Sequence, residues 1–152
     1  LTHIMWDDSV PFGKEGQFVE KELLEGMSNQ PAGELLPLAM SWLQPATATT
    51  ATKGLEVAWQ SADRAWVLTR GNAEVTDLQL TLDGSETTPI VNPAVIVENW
   101  GRDRTATITI DGKAPVASTD IRQGVVTRPN GVQALIIWIE HSRTAPLEIG
   151  IK

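Results

Sequence analysis

Apolar and polar residues alternate along most of the chain after Gly54, the pattern of β-strands with one buried and one wet face. It is clearest in residues 78–83, 105–110 and 147–152, where every second residue is Leu, Ile or Ala. The runs 95–97 and 135–139 are apolar throughout, which predicts central strands covered on both sides. With residues 55–59 and 65–68, this gives about seven or eight predicted strands.

Turn-forming residues follow several of these strands. Asp83-Gly84 and Asp111-Gly112 tolerate the positive φ angles of tight hairpins, and Pro129-Asn130-Gly131 supplies a third reversal. Short strands joined by tight turns predict antiparallel sheets, which hide their apolar faces by packing against each other. We therefore predict an all-β fold, a two-layer antiparallel β-sandwich, and the pattern leaves jelly-roll and immunoglobulin-like topologies open.

The N-terminal part of the chain has no steady period. Residues 18–26 fit a helical face or a strand equally well. Residues 31–45 are apolar, but Pro37 interrupts a helix, which predicts a short helical turn and then an extended segment. Residues 45–53 alternate Ala and Thr, which indicates a linker or a strap over the surface. We therefore predict an irregular N-terminal segment and linker packing on the sandwich, residues 1–53, and a β-sandwich domain, residues 54–152.

The composition indicates one soluble globular domain. The chain has 152 residues, of which 41% are hydrophobic and 20% are charged. No apolar run approaches the roughly 18 residues that cross a bilayer, so we expect no membrane partner. The net charge of −7, with basic residues scattered along the chain, argues against nucleic acid. The absence of cysteine excludes disulfides and thiolate chemistry but selects no compartment.

The motifs of common enzyme classes are missing. The only histidines, His3 and His141, are far apart, which gives little support to a metal pair or a catalytic relay. There is no Gly-x-Ser-x-Gly, Gly-rich phosphate loop or His-Glu-x-x-His. Asp83, Asp111 and Asp120 offer the oxygen ligands that calcium takes, but no loop has dense acidic spacing. We predict no cofactor and no enzyme activity.

Paired carboxylates are the one catalytic alternative that the sequence keeps open. Glycoside hydrolysis needs only two acids that face each other across a sugar bond. Asp7 and Asp8 adjoin Trp6, and Asp63 and Asp103 lie near other tryptophans in the sequence. Most acids here occupy wet strand faces and turns, so a glycan-cleaving enzyme ranks last among our hypotheses.

Tryptophan is the unusual component, with six copies in a chain that has no tyrosine. Indole suits core packing, protein interfaces and stacking on sugar rings. We predict that Trp100 is exposed in a polar loop and stacks on sugar, with Asn99 and Arg102 binding hydroxyls, or else that it folds back as a lid on the sandwich edge. Trp138 points away from the apolar side of its strand, under another layer or into an open groove. Trp66 is either core or a further stacking residue.

Four stretches also carry a family resemblance. They are residues 25–43 (EGMSNQPAGELLPLAMSWL), 92–101 (NPAVIVENWG), 108–113 (ITIDGK) and 135–139 (LIIWI). They resemble the C-terminal β-sandwich accessory domain of large secreted bacterial polysaccharide-processing proteins. The resemblance implies an accessory module beside a catalytic domain in a longer polypeptide, an extracellular or periplasmic location and a polysaccharide or oligosaccharide partner. It implies no active-site residue.

Our leading hypothesis is therefore a non-catalytic carbohydrate-binding or accessory β-sandwich module that binds glycan by tryptophan stacking at Trp100, Trp138 and Trp66. The alternative is a structural or protein-interaction domain whose tryptophans are buried.

Overall fold

The computed structural model describes residues 31–71, 75–101, 104–114 and 120–152. Our expectations for residues 1–30 lie outside this part of the chain. Within it, one helix, α1 (Ala32–Leu43), precedes the strands. The strands are β1 (Thr47–Thr49), β2 (Leu55–Gln60), β3 (Ala65–Arg70), β4 (Leu78–Asp83), β5 (Ile90–Val91), β6 (Ala94–Glu98), β7 (Ile108–Ile110), β8 (Ile121–Thr127), β9 (Gln133–Ile139), β10 (Ser142–Arg143) and β11 (Leu147–Ile151).

The strands form two main sheets, which confirms the predicted all-β sandwich. One sheet has the order β2-β3-β6-β9-β8 and the other has the order β1-β4-β11-β7, while β10 and β5 form a separate pair. Every pairing is antiparallel except that of β3 with β6. Strand β1 lies in the stretch predicted as a linker or strap and pairs with the edge of β4. Its β-branched threonines fit that place in a sheet.

The core lies between the two sheets and follows the predicted alternation. Leu78, Leu80 and Leu82 of β4 are at most 1% exposed, and they belong to one cluster with Leu135 and Ile137 of β9 in the other sheet. Burial of each such side chain contributes about 1.5–3 kcal/mol relative to an exposed one. The alternating strands therefore supply the main force that holds the sheets together.

Helix α1 differs from the prediction, because it continues through Pro37. A proline in this position removes one backbone hydrogen bond, to the carbonyl of Gly33. Leu35 and Ala39, one turn apart, are only 6% and 1% exposed, so the helix buries one face. That burial offsets the lost bond, and the predicted extended segment after Pro37 was wrong.

The turns differ in how well they match the sequence. Asp111 and Gly112 have φ angles of 49° and 73°, as the predicted tight turn requires. Asp83 and Gly84 do not have positive φ, and the chain leaves β4 for β5 instead of forming a tight hairpin. Gly84 serves close packing instead, because a β carbon there would lie 2.7 Å from Cδ1 of Ile90.

Candidate functional site

The five-stranded sheet turns one face to the core and the other, here called the outer face, away from it. Side chains of neighbouring strands line up in rows across the outer face. One apolar row crosses all five strands and consists of Ala58, Val67, Ile96, Ile136 and Gly124. Ile136 is 37% exposed, as is Val126 on the same face of β8. Ile96 of this row is buried in a small cluster with Ala65 and Ala134, so Ile136, with Val126 beside it, forms the most exposed part of this apolar strip.

Trp138 lies on the outer face in the next row. This agrees with the prediction that its side chain points away from the face that carries Leu135 and Ile137. It is half-buried, and its direct neighbours are Ala94 on β6 and Arg122 on β8. The Arg122 guanidinium carbon lies 4.8 Å from the centroid of the indole ring. That distance is within the range of a cation–π contact.

The two neighbours give the indole two different sides. Arg122, on β8, lies over the ring, and the neighbour on β6 is Ala94, which offers only a methyl group. Arg122 is exposed, and its side chain makes no hydrogen bond or ion pair within the described part of the chain. An oriented indole beside unused guanidinium donors can bind a ligand that has both an apolar face and polar edges.

A second tryptophan–arginine pair follows the same pattern and was not predicted. The guanidinium carbon of Arg64 lies 4.0 Å from the ring centroid of Trp42, at the end of α1. Arg64 has a φ of 50° in the turn between β2 and β3, just before Ala65. Because Trp66 pairs with Val95 in the parallel pairing of β3 with β6, the preceding residue Ala65 lies beside Ala94 on the outer face. No sequence signal joins Trp42 to Arg64, because their contact depends on where the helix packs.

Of the two interpretations of Trp100, the exposed one was wrong, and the one in which it folds back onto the sandwich agrees with the structure, because Trp100 is only 1% exposed. Its indole Nε1 donates a hydrogen bond to the carbonyl of Arg104 at 2.7 Å, and Arg70 lies 5.6 Å from the ring centroid. Asn99 and Gly101, on either side, have φ angles of 56° and 66°. These left-handed residues reverse the chain and turn the ring into the protein, so it offers no surface for stacking.

The other predicted sugar-binding residues are dispersed. Trp66 is 3% exposed, donates from Nε1 to the carbonyl of Ala46 and packs edge-on against Trp59 with ring centroids 4.7 Å apart. It is a core residue. Asn99 is exposed and its amide donates to the backbone carbonyl of Arg70. Arg102 lies outside the described residues. Of the five predicted site residues, the structure places Trp138 on the outer face and does not bring it together with Trp66 or Trp100.

Of the acidic residues that the sequence singled out beside tryptophans, the structure describes only Asp63. Asp63 is an exposed turn residue. Asp7, Asp8 and Asp103, with Trp6, lie outside the described residues. Across residues 31–71, 75–101, 104–114 and 120–152, no three His, Asp or Glu side chains gather as metal ligands.

A polar network lies just beyond the C-terminal end of β9. Arg143 donates from Nε to Nε2 of His141 at 3.0 Å and pairs with Asp111 at 2.6 Å. Burial and the charge of Arg143 lower the pKa of His141. The hydrogen bond from Arg143 lowers the pKa of Asp111, whose other oxygen accepts from the backbone of Glu148. Asp111 is thus committed to structural bonds.

The comparisons with known proteins add no relative. The chain matches no protein-family model, and neither the curated proteins nor the solved structures give a significant match. Within the described residues, no helix has the length and apolar character needed to cross a membrane.

Proposed function

We propose that this chain is a non-catalytic accessory module of a larger carbohydrate-active protein and that it binds glycan on the outer face of the five-stranded sheet. One observation carries the proposal: Trp138 is accessible on that face, with its ring fixed by Arg122 and bordered by Ala94. The resemblance of residues 92–101 and 135–139 to secreted polysaccharide-processing proteins supports the same function and an extracellular or periplasmic location.

The chemistry of the site suits a sugar ring. The C–H face of a pyranose packs on an indole, while a guanidinium donates to the ring's oxygen atoms. The contact with Arg122 holds the Trp138 ring in one orientation before a ligand arrives, so less side-chain entropy is lost on binding. The neighbour on β6, Ala94, is small, so it blocks less of the ring than a larger side chain would.

A panel of soluble polysaccharides tests the proposal by affinity electrophoresis and calorimetry. We expect at least one glycan to bind, Trp138→Ala to abolish binding, and Trp138→Phe to retain part of it because a flat ring remains. Leu36→Ala is the matched control, because it removes an exposed apolar side chain (43% exposed) from α1 and not from the sheet. Absence of binding to every glycan, or full binding by Trp138→Ala, contradicts the proposal. New reducing ends or unsaturated products during the incubation would support the enzyme alternative instead.

The apolar strip favours a second candidate function, a docking domain for the catalytic domain of the same polypeptide. The exposed side chains of Ile136 and Val126 offer no group that recognises a sugar hydroxyl, but they match an apolar protein surface. In the full-length parent protein, Ile136→Asp should then release the module, which limited proteolysis between the domains detects. Under the glycan proposal, Ile136→Asp leaves the domains as they are in the parent.

A further inference from the structure

The basic side chains of the described residues differ in what they contact. Arg128, Arg143 and Lys152 each form an ion pair with a carboxylate. Arg64, Arg70 and Arg122 lie over tryptophan rings, and of these three only the Arg64 and Arg122 side chains are exposed and make no ion pair or hydrogen bond in the described parts of the chain. With nineteen acids to twelve basic residues, carboxylate partners are plentiful in this chain. Arg64 and Arg122 therefore hold charge and donors, oriented by a tryptophan ring, that the described part of the fold does not use.

We propose, on the basis of the glycan function above, that the ligand is an acidic glycan that carries carboxylate or sulfate groups. Arg122 binds an acidic group of the sugar that stacks on Trp138. A guanidinium is planar and offers paired donors that match a carboxylate or a sulfate. Its position on the ring fixes that fork beside the stacked sugar, which a freely rotating lysine would not do.

Arg64 extends the same recognition along the chain of the glycan. Ala65, next to Arg64, lies on β3, while Trp138 lies on β9, two strands away. Two strand spacings are about 10 Å, and this separation suits neighbouring units of an extended polysaccharide. Arg64 therefore binds an acidic group on a sugar near the one that stacks on Trp138.

Salt dependence is a poor test here, because salt screens both the local attraction to arginine and the long-range repulsion by the net charge of −7. Matched ligands avoid this problem. Polygalacturonate and its methyl ester share one backbone and differ in charge, and dextran sulfate and dextran form a second such pair. We expect the charged member of at least one pair to bind roughly tenfold or more tightly than its neutral form.

Three variants complete the test, with folding of each checked by circular dichroism. Arg122→Gln should weaken binding of the charged glycan about tenfold and weaken binding of the neutral form by a clearly smaller factor. Arg122→Lys should recover only part of the loss. Arg104→Gln removes the same charge from an exposed arginine that is not stacked on a tryptophan, and it should change nothing.

The outcomes separate this inference from the function on which it rests. If a glycan binds through Trp138 with equal affinity in its charged and neutral forms, or if Arg122→Gln and Arg104→Gln behave alike, the inference is overturned and the glycan-binding function stands. If neither form of any pair binds, and Trp138→Ala equals the wild type, both are overturned.

Discussion

Replacement of Trp100 by alanine tests whether this tryptophan packs in the core or binds a ligand. The ring is 1% exposed, its N–H bonds the carbonyl of Arg104, and Arg70 packs over it. Truncation of a buried tryptophan to alanine costs about 3–5 kcal/mol in unfolding free energy. Domains are typically stable by about 5–15 kcal/mol, so Trp100→Ala should lose a large share of the free energy of unfolding.

Trp100→Phe provides a milder version that stays folded. It keeps an aromatic ring but loses the hydrogen bond to the carbonyl of Arg104, and the loss of such a bond costs about 0.5–1.5 kcal/mol. For a chain of this size, the unfolding temperature should fall by about 2–4 °C for each kcal/mol. Urea denaturation followed by far-ultraviolet circular dichroism measures both variants, with Trp138→Phe as the comparison on the outer face.

The opposite pattern would refute the burial of Trp100. If Trp100→Ala unfolds at the wild-type urea concentration and loses glycan binding, then the indole is exposed in solution and stacks on sugar. We expect instead that Trp100→Phe binds glycan as the wild type does while unfolding earlier. The difference in acrylamide quenching between the wild type and Trp100→Phe gives the quenching of the Trp100 indole, and we expect this quenching to be low.

Three further predictions concern stability, and each is checked by the unfolding temperature. The side chain of Gln123 accepts a hydrogen bond from the N–H of Ala106 at 2.9 Å and donates one to the carbonyl of Ala106 at 2.8 Å. Gln123→Ala should therefore destabilise the protein by about 1–3 kcal/mol. An unchanged unfolding temperature would contradict the role of this side chain in joining the sheets. Gly84→Ala should cost about 1–3 kcal/mol, because the new β carbon would lie 2.8 Å from a backbone carbonyl oxygen, whereas the open position of Gly124 makes Gly124→Ala a control. Burial and the charge of Arg143 lower the pKa of His141, so the fold favours the neutral form of this side chain. The resulting contribution to the free energy of unfolding is complete above pH 6.5 and is lost as the pH falls through the pKa of the folded state. His141→Asn should therefore show a smaller loss of stability between pH 7 and pH 5 than the wild type, and equal slopes would contradict the prediction.

The strands that could be predicted from the sequence are those whose alternation reflects a simple division between core and water. Strand β4, with Leu78, Leu80 and Leu82 inward, is the clearest. Strand β8 was missed, because Gln123 points inward with Ile121 and Val125, and Gly124 occupies the outer face. A glutamine faces the core here only because it bonds the backbone of Ala106, a partner that is distant in sequence. Long-range partners of this kind leave no periodic signal.

Sequence position alone was a poor guide to which tryptophans are buried. Trp100 follows a strand and is surrounded by polar residues, which predicts exposure, but the left-handed residues Asn99 and Gly101 turn it inward. Trp138 lies within a strand, where each side chain is fixed to one face by the backbone, and its placement opposite Ile137 was predicted correctly. Parity within a strand therefore predicts the direction of a side chain better than the polarity of its neighbours does.

The same parity argument links the outer face to function. If Trp138 served only to cover the sheet, an apolar neighbour would pack against it on both sides, as Trp59 packs against Trp66 in the core. Its actual neighbours are a methyl group and an arginine whose side chain makes no other bond in the described residues. These contacts with the ring add little to the stability of the fold, since an exposed cation–π contact contributes only about 0.5–1 kcal/mol. A ligand that stacks on the indole and pairs with the guanidinium would use both features at once, which is why variants of Arg122 and Trp138 test the proposed function more directly than any change in the core.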